Sequence, residues 1–304
     1  METTDSNQLY LELYNTVQEN LSGMINAQNI TQIVEKISRE FENNLYSELL
    51  LRFYTQSREN YLLTHITNTV ILALGFGHSL SLSAEDRIDL GLCAFGHDFA
   101  MAEYLPFFQK PGELSTEEAR LVRGHTQKSA TLFKAHFPEK VIQGILDVHE
   151  QADGNGYPAG KSDIEVSFLS KIISICDVFE ALTHARSFRA EVNPYEAIKL
   201  IIKKKNTVFD GQVINRFVDF MSIYPIGTLV HLNTGEIGLV VAGNYAAPTR
   251  CVVKVLLTAQ RNPETTLKIH NLLENKMVYV IGTLPTTEEK EIIEALNPRG
   301  NISL

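Results

Sequence analysis

Side chains that bind metals interrupt otherwise apolar runs at five places in this chain: His65, the pair His97-Asp98, His125, His149 and Asp177. They recur at intervals of 32 (65 to 97), 27 (98 to 125), 24 (125 to 149) and 28 (149 to 177) residues. Each interval is the length of one helix plus one loop. Successive helices packed side by side would therefore each bring one polar group to a similar depth, which is how helical bundles build metal centres. Asp177 sits in the run Lys171-Ile172-Ile173-Ser174-Ile175-Cys176-Asp177-Val178-Phe179. An ionised carboxylate buried there without a partner would cost several kcal/mol or be forced to keep its proton. A divalent cation removes that cost. His97-Asp98 follows the equally apolar Leu90-Gly91-Leu92-Cys93-Ala94-Phe95-Gly96, and a carboxylate beside an imidazole can bridge to a second ion. The other histidines (His78, His136, His184, His231 and His270) lack this context and read as surface or incidental.

The rest of the chain organises itself around this centre. Residues 1–55 carry apolar residues at helical spacing (Leu9, Leu13, Val17, Leu21, Ile30, Ile33, Ile37, Phe41) and read as two or three helices, able to serve as an input or dimerisation segment or as a plain helical cap. Residues 56–223 keep the helical period and add start signals: Ser83 before Asp86, a capping box at Ser115 and Glu118, and Pro138 and Pro194 near first turns. Two irregular stretches, 101–114 and 151–164, interrupt the helices, and such loops in a compact helical domain are often functional. Residues 224–284 change to short β-prone runs, Thr228–Leu232, Ile237–Val241, Cys251–Leu257 and Met277–Ile281, with Asn233-Thr234-Gly235-Glu236 as a hairpin turn. This predicts a small β-barrel or SH3-like module. Residues 285–304 read as a short charged helix and a disordered tail. The fold class expected is mainly α, a helical bundle with N-terminal helices and a small C-terminal β module.

Charge and cysteine usage narrow the function. Lys and Arg number 27 against 36 Asp and Glu, a net charge of −9, which argues against duplex nucleic acid as a partner. Cys93, Cys176 and Cys251 are scattered, so neither a disulfide framework nor a structural zinc site is expected, and a cytoplasmic location fits. The first residues have neither a basic start nor an apolar core, and no run of apolar residues is long enough to span a membrane.

The stretch from His65 to Arg189 resembles the HD-GYP domain, a subgroup of the HD metal-dependent phosphohydrolases, and the likeness covers residues 56–223. Asp153-Gly154-Asn155-Gly156-Tyr157-Pro158 reproduces the family's DGxGYP motif, and His97-Asp98 matches the doublet that names the superfamily. Lys110 to Glu118, His125, and the segment from Asp177 to Arg186-Ser187-Phe188-Arg189 follow in the family's order and spacing. The resemblance implies an HD-type helical bundle that hydrolyses cyclic di-GMP to the linear dinucleotide pGpG or to GMP, using two or three iron or manganese ions, with zinc also compatible with the ligand types. Such ions would acidify a shared water and neutralise charge on the phosphate. Carried over by motif, the metal ligands are His65, His97, Asp98, His125, His149 and Asp177, with His97 and Asp98 as the catalytic pair. Glu180, Arg186 and Arg189 match positions that contact the dinucleotide, Gly154 and Gly156 permit a tight turn, and Tyr157 supports the ligand pocket. The resemblance also leaves room for a protein partner at the GYP loop.

Three positions depart from the family's pattern. Where its HDxGK string carries a phosphate-binding lysine, this chain has Met101; its HHE string reads Val148-His149-Glu150; and Tyr61 stands where members with a third metal carry glutamate. The expectation is two metals rather than three. Two readings stay open: a phosphodiesterase of reduced activity, or a lapsed module that senses cyclic di-GMP or binds a protein.

Overall fold

The computed structural model of the chain describes residues 5–42, 48–50, 60–108, 114–184, 191–244, 247–285, 287–289 and 291–292. Two helices, α1 (Ser6–Ser22) and α2 (Ala27–Glu42), lead into α3 (Tyr61–Ser79) and α4 (Ala84–Gly96). A 3-10 turn at Phe99–Glu103 precedes α5 (Thr116–Val122), α6 (His125–Phe133) and α7 (Glu139–Leu146). Then come α8 (Phe168–Thr183), α9 (Pro194–Ile202) and α10 (Gly211–Met221).

The start signals read from the sequence act where expected. The Ser83 hydroxyl accepts from the Asp86 amide, Ser115 and Glu118 form a reciprocal capping box, Pro138 is the N-cap of α7, and Pro194 is the first residue of α9. Each satisfies or avoids a free N–H of a first turn. Helix α3 is the axis of the bundle: every residue from Leu62 to Gly77 is buried. A helix apolar on most of its faces can only be covered all round, and α1, α2, α4 and α8 cover it. One hydrophobic cluster runs from Leu9 and Leu13 of α1 through Ile37, Ile71, Phe95, Ile145 and Phe179 to Phe217. The N-terminal helices thus share the core of the helices that follow; the boundary expected at 55/56 lies outside the described residues.

The C-terminal module is a five-stranded antiparallel sheet in the order β4-β3-β2-β1-β5. Its strands are β1 (Leu229–Leu232), β2 (Ile237–Ala242), β3 (Val252–Leu257), β4 (Ile269–Asn271) and β5 (Val280–Thr283). The β1–β2 hairpin pairs Leu229 with Leu239 and Val230 with Gly238, and Gly235 takes the left-handed φ of +85° that its turn requires. Two features differ from expectation. Strand β4 has three half-exposed or exposed residues and no alternation to betray it. Strand β5 begins at Val280, because Met277 is in a turn whose amide donates to the Asn275 side chain.

Glu289, in a short helical segment after the sheet, buries its carboxyl and accepts the Leu229 amide at 3.0 Å. Burial pushes this group up to about 7, from an ordinary 4.5. Between those values the folded chain holds a proton that the unfolded chain has lost. The stabilisation is therefore fully present below pH 4.5 and is lost as the pH rises through 7. Glu289→Gln is expected to remove this dependence, worth at most about 3 kcal/mol. Denaturant midpoints at acidic and mildly alkaline pH check it: wild type loses stability on the alkaline side and the variant does not.

Among the described residues no helix is long and apolar enough to cross a membrane, and the three cysteines are free and buried.

Candidate metal centre

Only His65 and Asp177 lie inside helices, on α3 and α8. The others sit at helix ends: His97 caps the C-terminus of α4, Asp98 precedes the 3-10 turn, His125 opens α6, and His149 follows α7. This differs from the expected picture of five groups within helical runs, and it has a physical use. The last turn of a helix has carbonyls without intrahelical partners. His97 Nδ1 lies 2.7 Å from the Ala94 carbonyl in the last turn of α4, and His125 Nδ1 lies 2.7 Å from that of Val122 at the end of α5. Only a protonated Nδ1 can donate there, so in the neutral ring the lone pair lies on Nε2, the nitrogen that faces the interior. His65 reaches the same state differently, with Nδ1 donating to Glu180 Oε2 at 2.5 Å.

These inward-facing atoms converge. His65 Nε2 lies 3.3 Å from His97 Nε2, 3.1 Å from Asp177 Oδ1 and 3.3 Å from Asp98 Oδ2. His125 Nε2 lies 3.1 Å from His149 Nε2 and 3.1 Å from Asp98 Oδ1. His149 Nδ1 is 3.8 Å from Asp177 Oδ2. The candidate ligand atoms form two groups, His65–His97–Asp177 and Asp98–His125–His149, each within 4.8 Å of one another. Asp98 turns one oxygen toward each group.

Lone pairs packed this closely repel unless a positive charge lies among them, so the donor set fits cations. The electrostatics express the same demand. Burial would raise the Asp98 carboxyl, yet His97, His125 and His65 hold it well below the usual carboxylate range; Asp177 is lowered likewise by His65, His149 and His97. Burial opposes charge on His65, but Tyr61, Glu180, Asp177 and Asp98 carry it well above the ordinary imidazole value, and Asp98 raises His125 against its burial; a ring proton is the positive charge these carboxylates draw when no cation neutralises them. His149 goes the other way, pushed down to about 4 by burial, which outweighs the pull of Asp177 and Asp98, with His125 and His97 adding to the push. It stays neutral, with a lone pair on one ring nitrogen.

The GYP loop closes one side. Gly154 has φ +77°, which favours glycine, and a Cβ on Gly156 would meet the Gln151 nitrogen at 2.3 Å and Glu150 Cα at 2.4 Å, so the backbone path requires glycine at 156. The buried Glu150 carboxylate anchors the loop, accepting the amides of Ala159 at 2.7 Å and Lys161 at 2.9 Å, while the Lys161 ammonium binds both oxygens of buried Asp147 at 2.8 Å. Tyr157 is thereby held against His149 (ring centroids 4.9 Å) and His125 (6.3 Å). Burial, with Asp98 and Asp177 nearby, pushes its phenol up, so it stays protonated.

Other expected site residues fall elsewhere. Glu180 is fully buried behind His65, where its carboxylate accepts from His65 and from the Asn68 amide. A side chain closed off in this way faces His65 and Asn68 and has no open surface for a dinucleotide to reach. Burial opposes its ionisation, but His184, His65 and Asn68 hold it far below the usual range. Arg186, Arg189 and the loop Lys110-Pro111-Gly112 lie outside the described residues. Met101 packs against the core cluster and Val148 is part of it, so neither offers a polar group to the centre. Tyr61 stacks on His65, centroids 5.5 Å apart.

The sequence reading missed four participants. His184, taken as incidental, has Nδ1 3.1 Å from Glu180 Oε1. Asn68 and Tyr10 connect to the same carboxylate. Arg123 lays its guanidinium over the Tyr157 ring, 5.4 Å from the centroid. Of these four, Arg123 alone carries a signal in the sequence, a cation two residues before His125.

A family model described as an HD domain matches residues 52–213, more than half of the chain. The chain belongs to the HD domain family. Its motifs place this HD protein in the HD-GYP branch, and residues 229–292 match a KOW domain associated with HD domains. It is 32% identical over 214 residues to the cyclic di-GMP phosphodiesterase PA4108 of Pseudomonas aeruginosa, covering 69% of this chain and 51% of that one. It is 26% identical over 171 residues to the 3'3'-cGAMP-specific phosphodiesterase 3 of Vibrio cholerae, covering 56% of this chain and 37% of that one. The HD protein thus spans about half or less of the length of these relatives. Among solved structures, Bd1817, an HDG"Y"P protein from Bdellovibrio bacteriovorus, shares the fold with a TM-score of 0.60 at 18% identity, over 72% of this chain and 74% of that one.

Proposed function

We propose that this HD protein is a metal-dependent phosphodiesterase that hydrolyses cyclic di-GMP to pGpG or GMP. The observation that carries the reading is the pair of ligand groups with one Asp98 oxygen facing each. His65, His97 and Asp177 would hold one cation, His125 and His149 a second, and Asp98 both. Iron or manganese is the proposed metal, and zinc also suits these donors. Bound there, the cations supply Lewis acidity toward a phosphate oxygen and a nucleophile at neutral pH. The protein's share is orientation: backbone carbonyls and Glu180 direct the Nε2 atoms inward, and the GYP loop walls off the His125–His149 side with Tyr157. The names of relatives that act on cyclic di-GMP and on cyclic GMP-AMP support a cyclic dinucleotide as substrate.

The missing lysine has a replacement in this reading. Arg123 is exposed and lies over Tyr157, the ring packed on His149 and His125, and a guanidinium there can grip a phosphate with two hydrogen bonds. Arg123→Ala is expected to lower kcat/KM about tenfold or more, chiefly through KM, with Arg123→Lys recovering part of it. Steady-state kinetics on cyclic di-GMP checks this; unchanged kinetics removes Arg123 from the substrate site.

Val148 in the core and Met101 packed against it, both apolar, favour a second reading, a lapsed module that binds cyclic di-GMP or presents the GYP loop to a protein. One experiment separates the two. Protein purified without oxygen and loaded with iron or manganese is incubated with cyclic di-GMP, and the product is separated by chromatography. Linear product that stops on chelation supports the enzyme. None, with metal confirmed bound, leaves the binding module. A cytoplasmic location and a homodimer through the N-terminal helices complete the proposal. Gel filtration with light scattering tests the dimer.

A further inference from the structure

A chain of buried hydrogen bonds joins the N-terminal helix to the metal centre. Tyr10, on α1 and 2% exposed, donates its hydroxyl proton to Asn68 Oδ1 at 3.1 Å. Asn68, on α3 and fully buried, donates from Nδ2 to Glu180 Oε1 at 2.9 Å. Glu180, on α8, accepts the His65 Nδ1 proton on its other oxygen at 2.5 Å. Chemistry dictates the direction of every link. An ionised carboxylate can only accept, so Asn68 must turn its NH₂ toward Glu180 and its carbonyl toward Tyr10. The phenol, facing a carbonyl, must then donate. His65 Nδ1, facing the same carboxylate, must carry a proton, which leaves Nε2 free to bind a cation.

We propose that Tyr10 is a positioning residue of the metal centre, acting on His65 through Asn68 and Glu180, so that α1 is part of the site's construction rather than a separate cap. Without the phenol, the Asn68 carbonyl loses its donor and the amide is held from its NH₂ side alone, by Glu180 and His184, so the Glu180 carboxylate is fixed less firmly against His65. Buried polar networks of this kind are sensitive to a single missing member. Whatever moves α1 against α3 therefore acts on His65. The proposal rests on the reading of His65 as a metal ligand.

The test is a Mn²⁺ titration of the full chain, with free Mn²⁺ read by its electron paramagnetic resonance signal. Tyr10→Phe keeps the ring and removes only the hydroxyl. It is expected to weaken Mn²⁺ binding by roughly three- to tenfold, less than the roughly 10- to 100-fold expected for Glu180→Gln, which contacts the ligand directly. The double variant should lose less than the product of the two, because both act on one nitrogen. Leu13→Ala, a buried α1 position outside the chain of bonds, controls for packing: it should lower Tm and leave Mn²⁺ affinity within about twofold. Unchanged affinity in Tyr10→Phe while wild type binds Mn²⁺ would overturn the proposal alone. An equal loss in Leu13→Ala would also overturn it, by making the effect general. Wild type that binds no Mn²⁺ would overturn the metal reading and this proposal with it.

Discussion

Asp98→Ala is expected to abolish turnover of cyclic di-GMP and to strip metal from both ligand groups at once. The reason is its bridging geometry: Oδ2 lies 3.3 Å from His65 Nε2 and Oδ1 3.1 Å from His125 Nε2. No other side chain among the described residues presents both oxygens this close to the two groups. Removing it also takes one of the two carboxylates among the six candidate ligands, the other four being imidazoles. Loss of an outer-shell partner costs roughly 10- to 100-fold in affinity or activity, so loss of a shared ligand should exceed about a hundredfold in rate. Asp98→Asn sharpens the result. An amide keeps one acceptor oxygen and offers a donor on the other side, so it should spare one ligand group and disable the other. Metal content by elemental analysis and linear product by chromatography read both effects. Full activity in Asp98→Ala would remove the residue from the centre.

Gly156→Ala should be the most damaging single methyl in the helical part of the protein. The added Cβ would stand 2.3 Å from the Gln151 nitrogen, 2.4 Å from Glu150 Cα and 2.6 Å from the Glu150 carbonyl carbon. These are backbone atoms and cannot swing aside as a flexible side chain would. Overpacking of this kind costs up to about 3 kcal/mol or more. The cost is also misplaced: the segment that must move contains the Glu150 carboxylate that holds the Ala159 and Lys161 amides and carries Tyr157 away from His149. Thermal unfolding should show a drop of several degrees, and hydrolysis should be lost with it. Gly154→Ala is the informative comparison. Its strain comes from φ +77° alone, with the nearest atom 3.6 Å from the new Cβ, so it should cost only about 1 kcal/mol and leave the loop in place. Equal stability of Gly156→Ala and wild type would mean that the loop does not follow this path.

The centre was legible in the sequence to the extent that its chemistry is local. His65, His97, Asp98, His125, His149 and Asp177 stand out because a group that prefers water, set among Ile, Val and Phe, needs a compensating reason to be there. The caps at Ser83, Ser115 and Pro194 were readable for a similar reason, since a first turn needs acceptors within three residues of itself. The DGxGYP loop announced its turn through Gly154, yet the reason for Gly156 is a contact with Glu150 and Gln151 across the loop, which no propensity describes. Strand β4 carried no signal because three edge residues, paired on one side only, need no alternation.

By itself, then, the sequence determined the helical bundle, the β module, the ligand types and the loop that closes on them, all properties of residues within about one helix of each other. Which side of His65 is protonated, what Glu180 faces, how His184 and Arg123 join the site and that Tyr10 reaches it were decided only when the helices packed. Tyr10 and Asn68 are 58 positions apart, and Asn68 and Glu180 112. Partners so distant in the chain meet because α1 and α8 must both cover the apolar surface of α3, and the direction of each hydrogen bond follows from that packing.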